Sequence, residues 1–156
     1  MQDGQSLGTG LAELRIAIAG DLHGQWDASD EQVLEHIAPD ALLVVGDLSD
    51  GHQRIPARLA SLPLPLACVL GNHDYGPGWS ESRVAARLAS LLQDLGVTIL
   101  RNEVADVAGL QIAGMDDLWA GRFDPVRTMA ALDKRRASLV LSHNPDTVDE
   151  RGWDGY

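Results

Sequence analysis

The chain has 156 residues, 45% hydrophobic and 22% charged, a length and balance that suit one soluble globular domain rather than two domains or a disordered polymer. Its net charge of −11, with lysines and arginines scattered, argues against a nucleic-acid grip, which needs clustered cations. No apolar run approaches the roughly 18 residues that would span a bilayer.

Met1–Gly10 lacks the basic and apolar regions of a signal peptide, and residues 1–10 are expected to form a mobile tail. Leu14 to Ala19 reads as a buried strand stopped by Gly20. Ser29 to Ile37 reads as a helix, with Ser29 and Gln32 at capping-box spacing and Pro39 ending it. Ala41 to Val45 is a second buried strand, Arg54 to Leu62 a short helix, and Leu66 to Leu70 a third strand. Cys68 lies within that third strand. As the only cysteine it excludes an intrachain disulfide, and a buried, inert thiol in a reducing cytoplasm is expected.

Ser80 to Leu95 is the strongest helical pattern, with Val84, Leu88, Leu91, Leu92 and Leu95 on one stripe and Gly96 as its stop. Val97 to Leu100, Val104 to Val107 and Leu110 to Ala113 follow as closely spaced strands for which antiparallel pairing is natural, Gly109 turning between the last two. Asp124-Pro125 starts a short helix through Leu132, and Ser138 to Leu141 is a final buried strand.

Polar clusters stand directly after four of these strands: Asp21 and His23, then Asp47, then Asn72, His73 and Asp74, then His143. In an α/β sheet the carboxyl ends of parallel strands share one edge, so residues distant in sequence converge there. The donors are carboxylates, imidazoles and one amide, which suit Mn, Fe or Zn. They are too many for one ion. A central carboxylate at Asp47 can bridge two divalent metal ions about 3.5–4 Å apart, an arrangement matched to in-line displacement at phosphorus.

Asp21-Leu22-His23, Gly46-Asp47, Gly71-Asn72-His73-Asp74 and Ser142-His143 resemble the ordered signature of calcineurin-like metallophosphoesterases, from Ile16 to about Asp146. The resemblance implies an α/β fold of mixed β-sheets sandwiched by helices, occupying residues 11–156, and hydrolysis of a phosphoester. It implies Asp21 and His23 as ligands of one metal, Asp47 as the bridge, and Asn72 and His143 as ligands of the second. His73 is then catalytic beside the scissile phosphate, and Asp74 orients it or tunes its basicity.

The family's closing Gly-His-x-His motif is missing, so the domain is expected to be incomplete at its C-terminus. Ser142-His143-Asn144-Pro145-Asp146 resembles a bacterial phosphodiesterase branch related to lipid-headgroup pyrophosphate hydrolases. A small-molecule or lipid-headgroup phosphoester is the substrate this implies. Gly20-Asp21-Leu22-His23-Gly24 also resembles the opening of serine/threonine phosphatases, but the arginine those enzymes carry between Asp and Gly is missing at Asp50-Gly51. A catalytically silent scaffold is the alternative of a different class. His36 and His52 are expected to be surface or structural histidines. Asp116, Asp117, Trp119 and Phe123 lie in a loop-rich stretch where a solvated carboxylate pair is the usual reading and a border to the substrate the alternative.

Overall fold

The computed structural model describes residues 13–50 and 56–153. The expected tail at 1–10, His52, the start of the helix expected over Arg54–Leu62, and residues 154–156 lie outside the described residues.

Four strands, β1 (Ile16–Ala19), β2 (Ala41–Val45), β3 (Leu66–Val69) and β4 (Thr98–Leu100), form a parallel sheet in that order. A second sheet holds β5 (Glu103–Val107), β6 (Leu110–Gly114) and β7 (Ser138–Leu141), with β6 antiparallel to β5 and parallel to β7. The helices are α1 (Ala28–Ile37), α2 (Ser82–Asp94) and α3 (Pro125–Ala130), with short 3-10 turns between.

The runs in β2 and β3 are continuously apolar because both faces of the first sheet are covered. Leu42, Val44 and Cys68 pack with Leu34 of α1 and Leu88 and Leu92 of α2. The alternate residues Leu43, Ala67 and Val69 face Ile112 and Leu141 of the second sheet. The far face of that sheet buries Ala113 and Met115 against Met129 of α3. Helices therefore flank a pair of packed sheets, the α/β architecture that the resemblance implies.

Several local expectations change. The N-cap of α1 is Asp27, not Ser29. Its carboxylate accepts the Ser29 N–H at 2.7 Å, and the Asp30 carboxylate accepts the Asp27 N–H at 2.8 Å. The short helix expected over Arg54–Leu62 is, in its described part, the 3-10 helix Ala57–Ser61. β1 is an edge strand with Ile18 62% exposed, so its apolar run is not fully buried. Along α2 the small residues Ala85 and Ala89 join Leu88 and Leu92 in the core, while Leu91 and Leu95 face outward.

β4 joins the first sheet parallel to β3, so antiparallel pairing holds only between β5 and β6. The turn joining that hairpin puts Ala108 and Gly109 both at positive φ, 51° and 84°, the geometry whose twist matches paired strands. β7 is only partly buried except at Leu141. Among the described residues no helix is long and apolar enough to cross a membrane.

Candidate active site

The parallel strands deliver their C-terminal loops to one edge, and backbone hydrogen bonds then lace those loops together. The N–H groups of Asp21, His23 and Gly24 donate to the carbonyls of Gly46, Asp47 and Leu48 at 3.2, 2.9 and 2.8 Å. Asp21, His23 and Asp47 all hold positive φ, at 54°, 45° and 50°. Asp and His tolerate this left-handed region better than most residues, and such backbone strain collects at functional sites.

Two glycines let the loops approach. A Cβ on Gly46 would stand 2.5 Å from Nδ1 of His143, and one on Gly71 would run into the Asp47 carboxylate. Bare backbone at both positions is what allows His143 and Asp47 to lie against each other.

Asp47 is central and 3% exposed. Its Oδ1 accepts the His73 backbone N–H at 3.0 Å and stands 3.5 Å from His143 Nε2. Its Oδ2 faces the opposite way, 3.7 Å from His23 Nε2. Donor atoms of Asp21, Asp47 and His143 all lie within 4.8 Å of one another.

His143 Nδ1 is 2.8 Å from the Val45 carbonyl oxygen, which can only accept, so that nitrogen carries the proton. Nε2 is left with its lone pair, 3.0 Å from Oδ1 of Asn72. An imidazole lone pair and an amide oxygen turned towards one another offer two ligand atoms to a single cation. The residues present therefore fit a divalent metal.

The His73 ring meets His23 edge-on, with centroids 5.0 Å apart, and lies 6.0 Å from Trp79. Trp79 in turn stacks on Trp119 at 5.5 Å and 19°. The cleft among these residues measures about 390 Å³, and Asn144 and Pro145 close its side next to His143. Clefts of about 510 Å³ elsewhere contain none of the sequence-identified ligands, so chemistry rather than size selects this one.

Asp74 is fully buried and has partners other than the His73 ring expected for it. Its carboxylate accepts the N–H groups of Leu48, Ser49 and Gly71 at 3.1, 2.7 and 2.9 Å, and the Ser49 hydroxyl at 3.0 Å. Burial raises its carboxyl pKa above the usual range against the pull of these hydrogen bonds.

The four residues of the loop-rich stretch 116–123, for which a border to the substrate is the alternative reading, separate. Trp119 lines the cleft. Asp116 is buried in an ion pair with Arg101 at 2.9 Å and accepts the Tyr75 hydroxyl at 2.5 Å. Phe123 packs on Trp153, 5.6 Å away, against the second sheet. Asp117 is buried, and its Oδ2 has no protein partner. Its pKa is raised by burial, and the charges of His143 and Asp47 also act on it. His36 is exposed on α1 and takes no part.

Sequence reasoning missed Trp79. The available signal was a large aromatic directly after Gly76-Pro77-Gly78, a turn sequence in the loop that follows the His73 cluster. Asn144, read only as part of a turn, is 2% exposed and caps the turn after β7 by accepting the Asp146 N–H at 2.9 Å.

The family model for calcineurin-like phosphoesterases matches residues 14–155. The chain is 34% identical over 123 residues to the metallophosphoesterase YkuE of Bacillus subtilis (strain 168), covering 70% of this chain and 41% of that protein. It is 30% identical over 152 residues to a metallophosphoesterase of Aquifex aeolicus (strain VF5), covering 85% and 56%. It is 26% identical over 165 residues to the UDP-2,3-diacylglucosamine pyrophosphatase LpxG of Chlamydia trachomatis serovar D, covering 74% and 50%. The chain thus spans about half the length of the curated relatives it matches. With the family's ordered motifs gathered on one sheet edge and the family model matching nearly end to end, the chain belongs to the calcineurin-like phosphoesterase family.

Proposed function

We propose that this chain carries a two-metal phosphoester hydrolase site, with Asp21 and His23 holding one ion, Asn72 and His143 the other, and Asp47 bridging them. The observation that carries the reading is the Asp47 carboxylate, whose two oxygens face His143 and His23 on opposite sides. Divalent metal ions at such a site activate water and neutralise phosphoryl oxygens.

The chain's own residues supply the rest. The Val45 carbonyl fixes His143 in the tautomer that leaves Nε2 free to ligate. His73 stands at the wall of the cleft, free to protonate the departing oxygen or stabilise charge on the phosphoryl group. Asp74 acts on the site indirectly, by holding the loops after β2 and β3 in register.

Mn, Fe and Zn all suit the donor set. The substrate class supported best is a small-molecule or lipid-headgroup phosphoester, in keeping with the pyrophosphatase named among the relatives.

The test is metal content by elemental analysis together with Mn2+-dependent hydrolysis of a chromogenic phosphodiester. His73→Ala is expected to keep its metal and lose turnover by roughly 10²–10⁴-fold, the usual worth of a general acid. Asp47→Ala is expected to lose metal. Unchanged metal stoichiometry in Asp47→Ala would defeat the bridging role, and metal bound without turnover in the parent chain would favour a silent scaffold.

A further inference from the structure

Two indoles stand at the mouth of the cleft, Trp79 40% and Trp119 52% exposed. They stack nearly parallel, and the inner one continues to the His73 ring 6.0 Å away, so an aromatic path runs from the candidate reacting centre to solvent. Neither is there by default of packing. Trp79 is held at a φ of 56°, with its N–H donated to Gly76 O at 3.0 Å. Trp119 rides a turn in which Asp117 Oδ1 accepts the Ala120 N–H at 2.7 Å and the Asp117 carbonyl accepts the Arg122 N–H at 2.9 Å. The Arg122 guanidinium also donates to the Ser82 hydroxyl, tying the Trp119 turn to the start of α2 just beyond Trp79.

We propose that Trp79 and Trp119 form a stacking platform for a planar aromatic ring, a nucleobase, carried by the phosphoester that the site hydrolyses. This rests on the phosphoesterase reading and makes the two tryptophans specificity-determining residues. Flat, nearly parallel indoles offer a π-face that a base covers fully, whereas an acyl chain needs an apolar groove. Among the described residues the apolar rim is the two indoles and Pro145. Insertion of the tryptophans into an anionic bilayer is opposed by the net charge of −11. Because both turns are already ordered by hydrogen bonds, little side-chain freedom is lost when a ring stacks.

Adenosine 5′-monophosphate and ribose 5-phosphate share the phosphate and the sugar and differ only in the base. Calorimetric titration of the Mn2+-supplemented protein is expected to give about tenfold tighter binding of the nucleotide, as stacking on an aromatic side chain does elsewhere. Trp119→Ala and Trp79→Ala should each bring the affinity ratio of the two ligands towards one, and Trp119→Phe should restore it. Equal affinities in the unaltered protein, no measurable nucleotide binding, or a ratio unmoved by both alanine variants would each overturn the platform. Hydrolysis is followed separately by phosphate release from the same two compounds and from the chromogenic diester. A base-dependent affinity ratio without any turnover would sink the phosphoesterase reading and leave the platform standing, so the two failures are distinguishable.

Discussion

Asp74, on the loop after β3, reaches Ser49 on the loop after β2, where its Oδ1 accepts both the backbone N–H at 2.7 Å and the hydroxyl at 3.0 Å. Its other oxygen accepts Leu48 N–H and Gly71 N–H. A single buried carboxylate thus clamps the two loops that carry Asp47 and Asn72.

Removing that clamp leaves buried donors without acceptors. Asp74→Ala is expected to destabilise the fold by about 3 kcal/mol, the scale of a few unsatisfied buried polar groups. Metal content should fall with it, since the loops lose their register. Asp74→Asn keeps one acceptor oxygen and should fall between. Chemical unfolding followed by circular dichroism reads the stability, and a midpoint unchanged in Asp74→Ala would remove the clamp from the account.

Gly71 adopts a φ of −108° that any residue can take, so its requirement is steric. An alanine Cβ would press into the Asp47 carboxylate and stand 2.5 Å from the Asp47 backbone nitrogen. Gly71→Ala is expected to cost about 1–3 kcal/mol by overpacking and to lower Mn2+ affinity at least tenfold. Normal metal content in this variant would mean that Asp47 is not confined by the β3 loop.

Asp21 is exposed and held at a φ of 54°, so glycine there relieves backbone strain without loss of buried contacts. In chelator, Asp21→Gly is expected to raise the melting temperature by about 2–4 °C, corresponding to about 1 kcal/mol. With metal supplied, the order should reverse, because a ligand has been removed. A lower melting temperature in chelator would show that Asp21 stabilises the fold itself.

The Cys68 thiol is fully buried, and its pKa is pushed well above the ordinary 9.0, by burial first and by the charge of Asp74 second. A folded-state pKa above the unfolded one means the folded chain retains a proton that the unfolded chain releases. Stability is therefore full below pH 9 and falls above it, by up to about 1.4 kcal/mol per pH unit from this group. Tyr75, raised by burial and by its hydrogen bond to Asp116, adds the same sign above pH 10. Cys68→Ala should flatten the stability profile between pH 9 and 10. A slope unaffected by the substitution would mean that the thiol ionises freely in the folded state.

Much of the fold and most of the candidate site were legible in sequence because they depend on local pattern. The apolar runs of β2 and β3 mark strands covered on both faces, and Gly46-Asp47 and Gly71-Asn72-His73 follow them where a parallel sheet gathers its loops. Capping was legible only approximately, since Asp27 and Ser29 are both competent caps two residues apart.

What the sequence by itself determined is the set of strands, the order of the polar clusters after them, and through these the family. Only the tertiary structure decided that β4 leaves its neighbour β5 to pair with β3, that Asp74 bonds backbone 25 and 26 residues away rather than the adjacent histidine ring, and that Trp79 meets Trp119. The physical reason is range. Strand formation and turn chemistry follow from neighbours within a few residues, whereas strand partners, buried hydrogen bonds and aromatic stacks are chosen by which surfaces burial brings together.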